Sequence, residues 1–187
     1  MTQQELADIL KSNHSKRDIS DLASKVNRKI VKIRDVYSLS LEHNNPQVVF
    51  RAAWLLENVF FKYPHAFEYI QPLFLRDYAK QKNRSAQRHY SKIAIYISHP
   101  LQTFMSRVKH QDLGVLIEGS FDWLIDSETP VAIQCNCMDV LCNLSEKEDW
   151  IADELKNILE QNLLSNSPSL LSRTKSVLKK LKRNFRI

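Results

Sequence analysis

Glycine is almost absent from this chain: only Gly114 and Gly119 occur among its 187 residues. At an average usage of roughly 7%, a chain of this length would hold about thirteen. Glycine supplies the positive φ angles of tight hairpins and the close backbone approach of phosphate-binding loops. Its scarcity therefore disfavours β architectures, P-loops and dinucleotide-binding folds, and it predicts an all-α protein.

The rest of the composition is that of a globular chain with a hydrophobic core, because 43% of residues are apolar and 26% are charged. The length favours a single domain over residues 1–187. No run of eighteen or more uncharged apolar residues predicts a membrane span. The N-terminal stretch MTQQELADILKSNHSKRD lacks the basic start and apolar middle of a signal peptide. We therefore expect a cytoplasmic protein without a membrane partner.

Three segments begin with a similar short polar stretch that ends in proline. They are NNPQVVFRAAWLLENVF from residue 44, SETPVAIQCNCMDVLCNL from 127 and SNSPSLLSRTKSVLKKL from 165. In each, a proline follows a polar residue and precedes an apolar run with helical period. Proline in the first turn loses only an N–H that would have no helical partner, and the preceding Asn, Thr or Ser can cap the helix. The pattern predicts three helices that have a proline at the first turn, at Pro46, Pro130 and Pro168.

The apolar period of 3.6 residues and the capping signals predict a chain of helices without strands. These helices run over about 2–12, 16–25, 27–42, 46–62, 64–82 with a kink near Pro72, 83–98, 101–108, 110–125, 129–145, 148–164 and 167–184. The three punctuating prolines are separated by 84 and 38 residues. A spacing near forty, with one helical pair per unit, is typical of a helical solenoid.

The segment PQVVFRAAWLLENV resembles the second helix of a HEAT repeat in its turn proline, valine, arginine and paired alanines. The last of the three segments keeps an arginine, Arg173, whereas the middle one has Gln134 and Cys135 near that position. Over about residues 27–184 the chain thus resembles small bacterial HEAT-like (armadillo-type) repeat proteins.

This resemblance implies a right-handed α-α superhelix of about four helical pairs. The pairs would be 27–42 with 46–62, 64–82 with 83–98, 101–125 with 129–145, and 148–164 with 167–184, after N-terminal capping helices over 1–26. It also implies that the second helix of each pair lines the concave side.

The net charge of +6 is concentrated at one end of the chain. Residues 167–187 contain seven basic residues and no acidic one, whereas the remainder is close to neutral. The sequence thus predicts a basic C-terminal helix.

Polar and basic side chains remain on one stripe of each predicted second helix, and we expect this stripe to contact a partner. Its members are Arg51 and Asn58, Arg88 and Lys92, Asn136 and Asn143, and Arg173, Lys175, Lys179 and Lys182. A basic surface suits an acidic partner, whether a protein, a nucleic acid or a phosphorylated ligand. The competing interpretation is a solvated outer face on a capping repeat, with cations that favour the helix dipole.

The residues that could carry chemistry form no catalytic or metal-binding motif. Cys135 and Cys137 point about 200° apart on a helix, so they cannot chelate one ion together, and no histidine accompanies Cys135 and Cys142. Small, buried, structural cysteines are the better interpretation. Glu118 and Asp122 share a face, but the E-x-x-H motifs of di-metal bundles are missing. We predict no catalytic residue, metal or cofactor.

The sequence therefore predicts a monomeric, non-catalytic interaction or scaffold module whose partner is a protein with an acidic surface. The alternative prediction is a DNA- or RNA-binding HEAT-like protein related to alkylpurine DNA glycosylases, which use a concave basic surface with aromatic and carboxylate residues. Trp123 lies beside Asp122, and Trp150 opens the next predicted helix, but adjacent helical residues diverge by about 100°, so Asp122 and Trp123 could not both face one base easily.

Overall fold

A computed structural model describes residues 1–100, 112–163 and 167–184, and every regular element in those ranges is helical. The all-α prediction is therefore confirmed. In chain order the helices are α1 (Gln3–Lys11), α2 (Lys16–Asn27), α3 (Ile33–Leu41), α4 (Pro46–Lys62), α5 (Pro64–Glu68), α6 (Gln71–Asp77, continued by a 3₁₀ turn Tyr78–Lys80), α7 (Arg84–Ser98), α8 (Gly114–Ile125), α9 (Val131–Leu144), α10 (Asp149–Asn162) and α11 (Pro168–Asn184).

Most helix bounds match the sequence prediction within a few residues, and α4 matches it at both ends. The third helix is shorter than predicted, because Lys29 adopts a positive φ of 61° and ends α2 before α3 begins at Ile33. The helix predicted over 64–82 is divided between α5 and α6, and Pro72 lies in the first turn of α6. Proline is tolerated there because its missing N–H would have no helical partner. The helix predicted over 101–108 lies outside the described residues.

The predicted proline-associated caps form at two of the three restarts. Asn45 Oδ1 accepts a hydrogen bond from the Gln47 amide at 2.9 Å, and Ser167 Oγ accepts one from the Leu170 amide at 3.4 Å. The prediction is wrong for Thr129, because its side chain does not cap α9. The Thr129 hydroxyl instead donates to Asp126 Oδ2 at 3.3 Å, within the preceding turn.

The chain divides into two compact units, Met1–Ile93 and Ala94–Ile187. In the first unit α4 is the central helix, and it packs against α1, α2, α3 and α5. Leu55, Leu56 and Val59 on α4 are completely buried. The predicted pairing of the helices over 27–42 and 46–62 is confirmed by the packing of α3 on α4.

An aromatic cluster connects α4, α5, α6 and α7 in the first unit. The ring of Phe67 lies 4.9 Å from that of Phe60 and 5.4 Å from that of Phe74, and both contacts are edge-on. Phe74 in turn lies 4.8 Å from Tyr90 on α7. Edge-on and tilted ring pairs at these distances add to the stability gained by burial. They also show that the predicted pair 64–82 and 83–98 is in contact.

In the second unit α9 is the central helix, and it packs against α8, α10 and α11, while α10 also packs against α11. Met138, Leu155 and Val177 contribute completely buried side chains from three of these helices. The predicted pairing of 148–164 with 167–184 is confirmed, as is the pairing of 129–145 with the described part of 101–125. Among the described residues, no helix is both long and apolar enough to cross a membrane.

Candidate interaction surface

Arg51 lies in a different environment from the one that the sequence predicts. Its side chain was expected on an exposed polar stripe of α4, but the residue is only 8% exposed. Its Nη1 atom donates to the carbonyl oxygens of Leu10 and Lys11, both at 2.8 Å, and its Nη2 atom donates to Asn13 Oδ1 at 2.9 Å. The prediction of an exposed guanidinium is therefore wrong, because the group is buried and hydrogen bonds to the C-terminal end of α1.

The predicted asparagines are half-buried and interact with other groups of the chain. Asn58 Nδ2 donates to the carbonyl oxygen of Trp54 at 3.0 Å. Asn143 Nδ2 donates to the carbonyl oxygen of Ile95 at 3.2 Å and to Ser98 Oγ at 3.1 Å. Asn136 lies on α9 and is also half-buried. A partner would have to compete with these internal hydrogen bonds at Asn58 and Asn143.

The two predicted residues of α7 differ in their surroundings. Arg88 is exposed, whereas Lys92 is half-buried and its Nζ atom lies 3.1 Å from Glu57 Oε1 on α4. Glu57 Oε2 contacts His89 Nδ1 as well. Burial raises the pKa of the Glu57 carboxyl, but the hydrogen bond and charge of His89, together with Lys92, lower it more, so the net pKa shift is downward. Lys92 therefore belongs to an internal ion cluster.

This Glu57–His89–Lys92 cluster was not predicted from the sequence, and it is flanked by stacked rings. Phe50 lies 6.2 Å from Trp54 and 5.5 Å from His89, measured between ring centroids. Glu57 and Lys92 are separated by 35 positions, so only the packing of α4 against α7 brings them together. The carboxylate is only 13% exposed, which favours a structural link between two helices over a free acid–base group.

The predicted cations on α11 fall on its exposed side. Lys175, Lys179 and Lys182 are all exposed, and their spacing of i, i+4 and i+7 places them on one face. The opposite face buries Leu170, Thr174, Val177 and Leu181. Within the ranges that the structure describes, none of the three lysines forms an ion pair. We call Lys175, Lys179 and Lys182 the α11 cationic face.

Arg173 is exposed, but its charge already has a partner in the same unit. Its Nη1 atom lies 2.9 Å from Asp139 Oδ2 and 3.3 Å from Oδ1, which ties α11 to α9. Burial raises the pKa of Asp139, and the charges of Arg173 and Lys180 oppose that shift. Arg173 therefore differs from the α11 cationic face in that part of its charge is neutralised.

The cysteines have the buried, structural character that their spacing predicts, except for Cys135. Cys137 and Cys142 are buried, whereas Cys135 is half-buried, and none of the three is joined in a disulfide. Burial raises the pKa of the Cys142 thiol to about 11. In the described parts of the chain, no three His, Cys, Asp or Glu side chains form a group that could hold a metal ion.

The residues considered for a glycosylase-like site do not share a surface. Asp122 is exposed on α8, whereas Trp123 is only 5% exposed in the core of the second unit. The two side chains diverge, as helix geometry requires.

The helices, their paired packing and the recurring proline starts define the class: this is an all-α helical repeat protein. Its family follows from comparison, because the HEAT repeat domain matches residues 6–181, and the chain belongs to that family. The match begins within α1, so it includes helices that the sequence predicts as caps. Searches of curated proteins and of solved structures returned no significant match.

Proposed function

We propose that this HEAT repeat protein is a non-catalytic binding module whose α11 cationic face docks on an acidic surface of a partner protein. HEAT repeats commonly mediate protein interactions, and a row of exposed lysines on a helix that is packed on its other face is suited to that role. The observation that carries the proposal is the exposure of Lys175, Lys179 and Lys182 on one side of α11.

A favourable interaction with the helix dipole explains only some of the basic residues of α11. Cations near a helix C-terminus stabilise it, but the effect falls off within the last turn. Lys182 and Arg183 lie in that last turn, whereas Lys175 and Lys179 lie before it. Three lysines on one face also repel each other, which costs stability and is offset when an acidic surface binds.

Arg88 on α7 and Asn136 on α9 remain proposed secondary contacts. Arg88 is exposed and Asn136 is half-buried, so both have accessible surface. Asn136 also has an interaction within the chain, and Asn58, Lys92, Asn143 and Arg173 would each have to exchange or share an internal partner, so we expect their replacement to affect binding less than that of Arg88. Arg51 is not included, because its guanidinium is buried against α1.

The test is affinity capture from lysate of the source organism with matched charge-reversal baits. Lys175→Glu/Lys179→Glu reverses two charges on the α11 cationic face. Lys16→Glu/Arg17→Glu makes the same change in net charge in the first turn of α2, where both residues are exposed and acidic side chains favour the dipole. We expect the wild type and the α2 control to capture acidic proteins. The α11 variant, Lys175→Glu/Lys179→Glu, should not capture them.

Nuclease treatment and a direct DNA titration separate this function from the nucleic-acid alternative. Capture that survives nuclease supports a protein partner. Capture that nuclease abolishes, together with salt-dependent binding of duplex DNA that is lost in Lys175→Glu/Lys179→Glu, would contradict the proposal in favour of nucleic-acid binding. Equal capture by both charge-reversal baits would contradict any role of the α11 cationic face.

A further inference from the structure

A groove of about 840 Å³ opens in the first unit between the turn that follows α2 and the short helix α5. Its deepest lining residues are Val26 and Val31, which are 4% and 2% exposed, and Ile33 and Ala66 add half-buried apolar surface. Tyr69 lies beside them with 71% of its surface exposed. The groove thus offers an apolar floor and an accessible aromatic side chain, which is the usual lining of a site for an apolar side chain.

The edge of this groove is cationic. Lys29, Lys32 and Arg34 all line it and are exposed. The carboxylate that lines the same groove, Glu68, lies 3.2 Å from the imidazole Nδ1 of His65. Over the described residues, none of the three groove cations forms an ion pair. The positive charge at the edge of the groove therefore favours an acidic ligand.

Lys29 adopts a backbone conformation that glycine would hold at lower cost. Its φ of 61° lies in the left-handed region, and its amide donates to the carbonyl oxygen of Val26 at 2.9 Å. The next amide, Ile30, donates to the carbonyl oxygen of Lys25 at 2.9 Å. These two bonds form a Schellman motif, in which glycine is the usual residue at the position of Lys29. A lysine is less favourable than a glycine in this conformation, and it brings a cation to the groove.

We propose that this groove binds an acidic peptide segment of a partner protein, with one large apolar side chain of the peptide seated on Val26, Val31 and Tyr69. Carboxylates of the peptide on either side of that apolar residue pair with Lys29, Lys32 and Arg34. The combination of an apolar anchor with flanking charges gives both affinity and register. The site lies in the first unit and does not depend on the α11 cationic face.

The experiment is fluorescence anisotropy on the full chain with a labelled peptide of about ten residues, made of Asp and Glu around one central Leu. A second peptide replaces the Leu with Ser, and a short DNA duplex serves as a third probe. Two groove variants are titrated: Lys29→Gly and Lys32→Glu/Arg34→Glu. The second reverses charges at the start of α3, where acidic residues favour the helix dipole, so we expect it to fold. Lys16→Glu/Arg17→Glu is the matched control, and Lys175→Glu/Lys179→Glu is titrated in parallel.

We expect Lys32→Glu/Arg34→Glu to weaken binding of the Leu peptide by about tenfold or more, because like charges then face each other. Lys29→Gly should weaken binding several-fold while its melting temperature rises by about 2–4 °C, because the backbone cost is removed. If Lys29 had only a structural role, Lys29→Gly would raise the stability of the protein without changing its affinity for the peptide. The Ser peptide should bind more weakly than the Leu peptide, and the α2 control should bind like the wild type.

Three results would overturn the proposal. Unchanged affinity for the Leu peptide in both groove variants would mean that the groove is not the site. Loss of peptide binding in Lys175→Glu/Lys179→Glu alone would place the peptide on the α11 cationic face. Binding of the DNA duplex without binding of the Leu peptide, lost in the groove variants, would assign the groove to a nucleic acid.

Discussion

The guanidinium of Arg51 closes the C-terminal end of α1 through its hydrogen bond to Leu10, with Nη1 lying 2.8 Å from the carbonyl oxygen. The same nitrogen donates to the carbonyl oxygen of Lys11, the last residue of α1. The final carbonyls of a helix have no intrahelical donor and carry the negative end of its dipole. A buried cation on α4 thus donates hydrogen bonds to the last carbonyls of α1 and interacts favourably with the negative end of its dipole.

Replacing Arg51 should destabilise the first unit. In Arg51→Met the apolar stem is kept, but the carbonyl oxygens of Leu10 and Lys11 lose a charged donor, which should lower the free energy of unfolding by about 2–3 kcal/mol. Arg51→Lys should lose less, because the charge remains but one ammonium cannot reproduce the planar fork. Urea unfolding followed by far-UV circular dichroism measures both changes.

The control makes the same substitution at an exposed arginine. Arg88→Met on α7 should change the free energy of unfolding by less than about 0.5 kcal/mol. Hydrogen exchange adds a local readout, since the amides of α1 should exchange faster in Arg51→Met than in wild type. Equal stability of the two variants, or unchanged exchange in α1, would show that the contact contributes little.

The sequence predicts α4 accurately and misses the role of Arg51 for a physical reason. The bounds of α4 follow from local signals, since Asn45 caps the helix and Pro46 begins it. The helical period also identifies an apolar face correctly. It does not indicate what lies against the polar stripe, and the acceptors of Arg51 are backbone carbonyls some forty residues earlier in the chain. Such a partner has no side-chain signature in the sequence.

The groove was missed for a related reason, which lies in the scarcity of glycine. The run VNRKIVKIRD continues an apolar helical period through Lys29, and no glycine marks the end of α2. The left-handed residue at that helix end is a lysine. The scarcity of glycine thus indicates the all-α class, but it also leaves the sequence without a signal for the end of α2 and for the turn that lines the groove.

The carboxylate of Asp77 should give the protein a measurable dependence of stability on pH. Arg76 hydrogen bonds to both of its oxygens, at 2.9 and 2.7 Å, and holds the pKa of this carboxyl well below its usual range against the opposing effect of burial. Lys80 at 2.8 Å and the Tyr37 hydroxyl at 2.8 Å act in the same direction. Because the pKa is lowered in the folded state, the stabilisation is present above the usual carboxyl pKa and is lost as pH falls through the folded value.

Asp77→Asn should therefore lower the free energy of unfolding at pH 7 by about 1–3 kcal/mol, and the difference from wild type should begin to shrink only as pH falls below the usual carboxyl pKa of roughly 4. Unfolding in urea at a series of pH values measures this difference. Asp153→Asn, at an exposed position of α10, is the matched control and should not show the same convergence. A difference between Asp77→Asn and wild type that stays constant down to acid pH would contradict the assigned ion pairs.

The three cysteines should react with a thiol reagent in two distinct phases. Cys135 is half-buried, with its Sγ atom 3.9 Å from the carbonyl oxygen of Ser169, whereas Cys137 and Cys142 are buried. Burial raises the pKa of the Cys135 thiol, and it raises that of Cys142 to about 11, so at neutral pH little of either is the reactive thiolate. We expect one slow modification of the native protein at Cys135, and rapid reaction of all three thiols only in denaturant.

Cys135→Ser provides the test, because it removes the accessible thiol and leaves the two buried ones. In this variant the native-state phase should disappear, while the reaction in denaturant should fall from three thiols to two. The residual native rate then reports the opening of α9, since Cys137 and Cys142 can react only when that helix separates from its neighbours. If Cys135→Ser retained the slow native-state phase, Cys137 or Cys142 would have to be accessible, and the burial of these two thiols in the packing of α9 would be wrong.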